Sequence, residues 1–283
     1  MNSAKRIFPR LKATAEDNQV LFVTRLIAAI IVPILTIAFL MLYLLPKQSG
    51  ILFAWPIKPS MTAMMLGAAY LGGAYYFTRV FLAKKWSRVK LGFLPVTAFA
   101  SFLGIATILH WDKFTAGHPS FIMWAFLYIV LPFVLPVIWW LNRDADPQTL
   151  DTHDSYLPKN IERFFLVIGI LLTFVSLILL IVPAVMISIW PWTISALTGR
   201  VLGAMFVLPG LVGIGIAQDK RWRSAQIILQ SQIFSMGLIL LAIVISRTDF
   251  DWAQLGAWVF ALSFTLLFIA LIAIYIMMTK RAR

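Results

Sequence analysis

Carboxylate side chains are the groups in this sequence best able to carry protons or bind cations, so their placement decides which chemistry is open to the chain. All eleven lie outside the long apolar runs. They are Glu16, Asp17, Asp112, Asp144, Asp146, Asp151, Asp154, Glu162, Asp219, Asp249 and Asp251. Carboxylates inside membrane-spanning segments usually mark proton relays and ion pathways. The sequence therefore argues against a proton-coupled transporter and against an intramembrane enzyme that uses paired carboxylates.

Histidine and cysteine provide no recognisable metal or nucleophile site. The chain has three histidines, His110, His118 and His153, and no cysteine. No two histidines are spaced i, i+4 to present a pair to a metal, and the absence of thiols excludes disulfides and a cysteine nucleophile. The sequence has no G-x-S-x-G motif, P-loop or dinucleotide-binding fingerprint. We therefore predict no catalytic residue, no metal, no cofactor and no enzyme activity.

A few uncharged polar side chains do lie within the apolar runs. Gln226 and Gln230 are one helical turn apart and share a face, and Ser101 lies in the matching part of the first half. Amides and hydroxyls in lipid must find hydrogen-bond partners. They either bond to neighbouring helices or line a polar pocket for a small amphiphile. The second interpretation makes all three residues candidate ligand contacts.

The composition explains why so few groups are available for chemistry. Of the 283 residues, 61% are hydrophobic and 12% are charged, whereas about a quarter of a soluble domain is charged. The chain must therefore be solvated largely by lipid. Its net charge of +13 fits the basic cytoplasmic loops of membrane proteins, which the anionic inner leaflet attracts. No polar domain remains to bind nucleic acid, so we expect none as a partner.

Eight apolar runs are each close to the roughly 20 residues that a membrane-spanning helix needs. The predicted spans are 22–45, 60–82, 91–110, 121–141, 164–188, 197–217, 225–246 and 253–278. The first run is longer than the apolar region of a signal peptide, which has roughly 7–15 residues. We therefore expect it to be a retained span, and the sequence predicts an all-α integral membrane protein.

The distribution of Lys and Arg predicts the orientation of these spans. With a cytoplasmic N-terminus, 19 of the 24 lysines and arginines fall on the cytoplasmic tails and loops. The five on the other side are Lys47, Lys58, Lys113, Arg200 and Arg247. This asymmetry follows the positive-inside rule. We expect a multi-pass protein of the cell membrane with both termini cytoplasmic, which requires an even number of spans.

Two basic patches, each built around a tryptophan, indicate an internal repeat. Lys84-Lys85-Trp86-Ser87-Arg88 follows the second run and Lys220-Arg221-Trp222-Arg223-Ser224 follows the sixth, with the tryptophans 136 positions apart. At the same offset, Leu66-Gly67-Ala68 matches Leu202-Gly203-Ala204. Two four-helix repeats inserted the same way up are related by an axis along the membrane normal. We expect both patches to face anionic lipid of the inner leaflet.

One charged residue interrupts the repeat. Trp55 precedes the second run and Trp190-Pro191-Trp192 precedes the sixth, but Arg200, one turn into the sixth run, matches the apolar Ala63 and Met64. Arg200 is therefore a candidate contact for a ligand or a lipid phosphate. The alternative is that its long side chain simply reaches the outer headgroups.

Small residues are concentrated in the second and sixth runs. Gly67, Gly72, Gly73, Gly199 and Gly203 include pairs with small-xxx-small spacing, which lets helix backbones approach closely. Helix packing is one interpretation, and glycines that line a passage are the other. Because the two runs are equivalent, we expect helices two and six to make the closest approach between the halves.

These observations predict an organisation and two classes of function. The parts are a cytoplasmic tail (1–21), a four-helix repeat (22–141), a polar cytoplasmic linker (142–162), a second repeat (163–278) and a basic tail (279–283). Spans without carboxylates need only packing partners, which favours a structural or accessory subunit of a membrane complex. The repeats, prolines and amides leave open a carrier or channel for an uncharged or lipid-like solute.

A ligand of such a carrier would lie between the repeats. We expect its cavity to be lined by Gln226 and Gln230, with Ser101 opposite and Arg200 at the outer end. Membrane lipids are the expected partners in either case, and other membrane subunits are expected if the chain is an accessory protein.

Overall fold

The computed structural model describes residues 14, 18–151 and 153–282, and their regular structure is helical. The long helices of this part of the chain are α1 Phe22–Phe39, α2 Ser60–Leu82, α3 Phe93–Leu109, α4 Pro119–Asn142, α5 Lys159–Ile181, α6 Ala196–Asp219, α7 Trp222–Ile245 and α8 Leu255–Arg281. A π-helical turn, Leu40–Leu44, extends α1, and the short helices Ser49–Leu52 and Pro183–Ile187 precede α2 and α6. Most of the predicted N-terminal tail falls outside the described residues.

Within the described residues, seven of these helices are long and apolar enough to cross a membrane. The remaining one, α2, occupies the predicted second span but is less apolar, because three tyrosines and three glycines are interspersed among its apolar residues. Most of α2 is buried, and Leu66, Ala68 and Val80 are fully enclosed. A helix surrounded by protein needs no uniformly apolar surface. The structure thus supports seven of the eight predicted spans.

Local sequence signals set where several helices begin and end. α4 begins at Pro119, which the first turn tolerates because an N–H there has no intrahelical partner. Ser195 caps α6 by accepting a hydrogen bond from Thr198 N at 3.2 Å. The residue after α6, Lys220, has a φ of 65°, the left-handed conformation common at helix C-termini. This sharp end allows α7 to begin at Trp222.

Each type of helix–helix contact described below occurs twice. The first two helices of each half pack together, α1 on α2 and α5 on α6, and so do the last two, α3 on α4 and α7 on α8. Between the halves, α2 packs on α7 and α3 packs on α6. The contacts of α4 and α8 are concentrated on the helix that precedes each, so these two helices lie at the periphery.

Helices α2 and α6 touch only marginally, so the expectation that they make the closest approach between the halves is wrong. The nearest neighbours of the five predicted packing glycines are Tyr43 for Gly67, Ser235 for Gly72, Leu35 for Gly73, Pro183 for Gly199 and Ser176 for Gly203. Four of these neighbours belong to the glycine's own half. The small residues therefore serve mainly the α1–α2 and α5–α6 contacts, and Gly72 alone of the five meets the other half, on α7.

The helix ends form two faces. The linker face carries the start of α1, the α2–α3 and α6–α7 connections and the linker between α4 and α5. The other connections lie at the far face, where each half has a cluster of aromatic side chains. Trp55 contacts Phe114 and Trp124, with ring centroids 5.1 and 4.8 Å apart. The corresponding contacts of the second half are Trp192 with Phe250 at 4.9 Å and with Phe260 at 5.1 Å.

The central residues of the two basic patches are buried. Trp86 is 0% exposed, Trp222 is 1% exposed and Arg221 is 3% exposed. Trp86 N donates to Asn18 O and Trp222 N donates to Ser155 O, each at 3.0 Å, and the indoles contact the rings of Phe93 and Tyr275, respectively. The prediction that Trp86, Trp222 and Arg221 face anionic lipid is therefore wrong.

The other patch cations are held mainly by carboxylates of the linker and its flanks. Asp151 lies 3.0 Å from Arg88 Nη2 and also pairs with Lys85. The guanidinium of Arg223 is an exception, because its Nε donates to the backbone carbonyl of His153 at 3.3 Å, while Asp154 accepts only from the backbone N–H of Arg223 at 3.0 Å. The remaining cations are Lys220, which pairs with Glu162 at 2.9 Å, and the exposed Lys84. The linker thus covers both patches and offsets much of their charge.

Candidate functional site

A large cavity separates α8 from α5 and α6, and we call it the groove. Its volume is about 870 Å³. Trp190 and Leu255 line its far-face end, while Phe164 of α5 and Leu271 of α8 lie toward the linker face. The groove therefore runs along much of the helix length, and α2 and α7 also contribute to its lining.

The groove follows from how α8 is held. Because the contacts of α8 are concentrated on α7, its side toward α5 and α6 is left incompletely packed. The glycines among the lining residues are not the source of this space, because a Cβ added at Gly213 or Gly256 would lie 2.7 or 2.5 Å from a backbone oxygen of the neighbouring segment.

The lining of the groove is apolar except for a few uncharged polar groups. None of its lining residues is Asp, Glu, Lys, Arg or His. Two of them hold buried N–H donors without a hydrogen-bond partner, Gln232 Nε2 and Trp190 Nε1. A buried donor left unpaired costs about 1–3 kcal/mol. Both donors belong to residues that line the groove.

A smaller cavity of about 240 Å³ lies at the matching place in the first half, between α1 and α4. Tyr70 and Tyr128 line it, and their hydroxyls are hydrogen-bonded at 2.9 Å. Phe206 and Phe264, each 136 positions later, line the groove instead. The groove therefore lacks the hydrogen bond that joins α2 to α4 beside the smaller cavity.

Gln226 and Gln230 do not line the groove. Gln230 Nε2 donates to Tyr275 OH at 2.6 Å, and its Oε1 accepts from Tyr75 OH at 2.8 Å. Gln226 Nε2 lies 3.4 Å from the same Tyr275 oxygen. The prediction that these two amides line the cavity is therefore wrong, because both bond to neighbouring helices.

The polar groups of α7 that do line the groove are Ser231, Gln232 and Ser235. Gln232 shares its helix face with the lining residues Ile228 and Ile239, which lie four residues before and seven residues after it. Gln226 and Gln230 point elsewhere because each residue turns the helix by about 100°. This periodicity was the one signal in the sequence that distinguished Gln232 from the other amides.

Ser101 also lies away from the groove. Its hydroxyl donates to Thr97 O, one turn earlier in α3, at 2.9 Å. Bonding to the i−4 carbonyl satisfies a hydroxyl within a helix without a ligand. Ser101 is therefore not opposite Gln226 and Gln230 in a shared cavity.

Arg200 lies at the far face and bonds to a histidine. Its Nη1 is 2.7 Å from His110 Nε2. A guanidinium only donates hydrogen bonds, so the imidazole accepts and His110 is neutral, with its proton on Nδ1. Burial, followed by the charge of Arg200, lowers the pKa of His110 from its ordinary 6.5. The sequence singled out Arg200 but not this partner, which is 90 positions away.

Four buried charges form a compact cluster beneath the linker face. Arg221 Nη2 lies 2.6 Å from Asp146 and 2.7 Å from Asp219, and Lys90 Nζ lies 2.6 Å from each of the same carboxylates. Burial raises the pKa of Asp146, but hydrogen bonds from Arg221 and Lys90 outweigh it and bring the value to about 2. Two cations thus balance two anions, which is a structural arrangement that joins the linker to both halves.

The described residues contain no group of three His, Cys, Asp or Glu side chains that could hold a metal ion. Seven apolar helices, an apolar groove and charges confined to helix ends define the chain as an all-α, multi-pass membrane protein. No protein-family model, curated protein or solved structure matches it.

Proposed function

We propose that the chain consists of two parallel four-helix repeats, with α2 as an eighth span and both termini in the cytoplasm. Loop contacts that recur at a constant offset support this architecture. Thr115 N donates to Ala54 O, and Asp251 N donates to Pro191 O, each at 3.0 Å. The two donors are 136 positions apart and the two acceptors are 137 positions apart.

Backbone pairing on the linker face recurs in the same way. Gln19 forms an isolated β-bridge with Lys85, and Tyr156 forms one with Arg221, at offsets of 137 and 136. Unrelated halves would have no reason to share both loop contacts and helix pairings. Eight spans also bring both chain ends to the linker face, which the positive-inside rule assigns to the cytoplasm.

The function that the geometry supports best is a carrier for an uncharged or lipid-like molecule, which binds in the groove. The volume of about 870 Å³ lies within the roughly 300–1,000 Å³ usual for small-molecule sites. The observation that carries the proposal is the pair of unpartnered donors, Gln232 Nε2 and Trp190 Nε1, in a lining that is mostly apolar and has no charged side chain. A molecule with a long apolar part and one or two acceptor oxygens fits this lining.

A binding role is proposed rather than an enzymatic one. The serine hydroxyls among the lining residues have no histidine, lysine or carboxylate beside them in the lining. A nucleophile without a positioned base has little reactivity. The groove is therefore equipped to hold a molecule by apolar contact and hydrogen bonds.

Native purification of the full chain in mild detergent tests the carrier proposal. We expect mass spectrometry of the extract to find a co-purifying amphiphile close to stoichiometric with the protein. Gln232→Leu keeps a similar side-chain volume but removes one donor, so it should retain at least about fivefold less of that molecule. Ser101→Ala removes a hydroxyl that lies outside both the groove and the neighbouring polar contacts of α7, so it is the control and should retain the wild-type amount.

Two outcomes would contradict the carrier proposal. One is wild-type protein that purifies as a single chain with no bound amphiphile. The other is equal retention of the amphiphile by the wild type and Gln232→Leu, because binding would then not use the groove donor.

A second candidate function is an accessory subunit of a membrane complex. It is favoured by Gln226 and Gln230, which bond directly to α2 and α8 and thereby join three helices of this chain. In that case a helix of a partner subunit would occupy the groove beside α8. Stoichiometric partner chains in the same purification, in place of a bound amphiphile, would identify this function.

A further inference from the structure

Polar side chains from α2, α7 and α8 meet near the linker-face ends of these helices. This Arg79 cluster consists of Tyr75, Arg79, Gln226, Gln230 and Tyr275. Arg79 Nη1 donates to Tyr75 OH at 2.8 Å and to Gln230 Oε1 at 3.1 Å. Gln230 Nε2 donates in turn to Tyr275 OH at 2.6 Å. None of the five lines the groove, so the cluster is a separate site.

The Arg79 cluster has more donors than acceptors and carries a fixed positive charge. No carboxylate in the described part of the chain forms an ion pair with Arg79. The Tyr275 oxygen already accepts from Gln230 and Gln226, so its own O–H proton remains to be donated. A guanidinium has five N–H donors, and within the cluster Arg79 uses only those of Nη1. The cluster therefore lacks a negatively charged acceptor.

Tyr75 and Arg79 have no polar counterparts at the equivalent positions of α6. In the equivalent contact between α6 and α3, Gly215 takes the place of Arg79 and Leu211 that of Tyr75, 136 positions later. The nearest neighbour of Gly215 is the apolar Leu91. The ion pair at this contact lies elsewhere, between Lys90 and Asp219, so a cation at the position of Arg79 is specific to α2.

We propose that the Arg79 cluster binds a phosphate oxyanion at the linker face. Arg79 contacts the oxyanion through its guanidinium and Tyr275 contacts it through its hydroxyl. Arginine forms short, charge-assisted hydrogen bonds to phosphate. Arginines near the ends of membrane helices also reach the depth of the lipid headgroups. A lipid headgroup and free phosphate share this chemistry, and the site does not depend on what the groove binds.

Native mass spectrometry of the full chain, delipidated in detergent, tests this with three additives: phosphatidylglycerol, inorganic phosphate and diacylglycerol, which has no phosphate. We expect phosphatidylglycerol to bind the wild type at least about tenfold more tightly than Arg79→Gln. Tyr275→Phe should weaken binding in the same direction while its ring still contacts Trp222. Arg163→Gln removes an exposed charge of α5 outside the cluster and should leave binding unchanged.

The possible outcomes distinguish a lipid site, a site for free phosphate and no oxyanion site. Equal binding of phosphatidylglycerol by the wild type and Arg79→Gln overturns the proposal, and so does diacylglycerol binding that depends on Arg79. If only inorganic phosphate binds with this dependence, the site takes the free ion rather than a lipid. Thermal unfolding checks the fold of each variant, and if Arg79→Gln fails to fold, Tyr275→Phe against the wild type decides the question.

Discussion

Arg200 bonds to His110 between the two halves, and Met64 and Ser246 meet at the matching positions. The Arg200 Nη1–His110 Nε2 distance is 2.7 Å, and Ser246 Oγ lies 3.3 Å from Met64 Sδ. Arg200 is 136 positions after Met64, and Ser246 is 136 positions after His110. These two contacts therefore occupy matching positions. One places the fixed cation of Arg200 beside the titratable imidazole of His110, and the other places the thioether of Met64 beside the hydroxyl of Ser246.

This pair makes thermal stability depend on pH. Because the folded-state pKa of His110 is lowered from 6.5, the unfolded chain takes up the proton more readily. The stability that neutral His110 contributes is present above pH 6.5 and is lost as the pH falls through its lower folded-state pKa. We predict that the unfolding temperature of the wild type falls between about pH 7.5 and about pH 5.

The double variant Arg200→Met/His110→Ser provides the control, since it installs the residue types of the matching contact between Met64 and Ser246. Its unfolding temperature, measured in detergent, should change less over the same pH range. A double variant that is as pH-sensitive as the wild type would show that other groups cause the effect.

Two glycines of α6 test the close packing of α5 on α6. A Cβ added at Gly213 would lie 2.7 Å from Phe165 O, a backbone atom of α5, whereas one added at Gly215 would meet Leu91 at 3.7 Å. Gly213→Ala must push α5 away and should lower the free energy of unfolding by about 1–3 kcal/mol. Gly215→Ala should be neutral or slightly stabilising, because alanine favours helix. Equal unfolding temperatures for the two variants would contradict this packing.

The buried charge cluster predicts a large effect for a small change in Asp146. Asp146→Asn leaves Arg221 and Lys90 with one carboxylate fewer, and breaking a buried ion pair costs about 3–5 kcal/mol. Asp144→Asn, two positions earlier and with a side chain that is 48% exposed, should change stability by less than about 0.5 kcal/mol. Thermal unfolding at neutral pH compares the two variants, and similar losses would refute the structural role of the cluster.

The same cluster predicts a response to acid. The pKa of Asp146 is lowered from 3.8 to about 2, so its stabilisation is present above pH 3.8 and is lost as the pH falls toward 2. The wild type should lose stability through this range, and Asp146→Asn should lose less. Denaturant unfolding at several acidic pH values measures the difference, and parallel curves would show that Asp146 does not contribute.

Two single-cysteine variants of this cysteine-free chain test the proposed orientation. Ala116 is exposed on the far face and Thr149 is exposed in the linker. A membrane-impermeant thiol reagent should label Ala116→Cys in intact cells, and it should label Thr149→Cys only after the cells are permeabilised. Labelling of Thr149→Cys in intact cells would place the linker outside.

The positions of the helices were predictable because the bilayer imposes a length and an apolar composition on each span. The predicted span 60–82 coincides with α2, although α2 is the least apolar long helix. By contrast, α5 begins at Lys159, five residues before the predicted span. Its first turn is polar and lies outside the apolar run, so hydropathy alone does not detect it.

The sites were less predictable because they depend on which side of an apolar helix faces which neighbour. Gln226, Gln230 and Gln232 are equivalent in composition, yet only Gln232 lines the groove. Arg79 contributed only to the count of cytoplasmic charges, since its partner Gln230 is 151 positions away. The sequence similarly did not reveal that carboxylates of the linker pair with cations of the basic patches.

Arg221 leaves the ribosome 75 residues after Asp146, its partner in the buried charge cluster. At roughly 5–20 residues per second, this separation corresponds to about 4–15 seconds of translation. Lys90 is the one other member of the cluster already made when Asp146 appears. During that interval the first four helices must be held together by their own contacts, because the buried charge cluster is still incomplete. The cluster is therefore completed late in biosynthesis, after α6 has been synthesised.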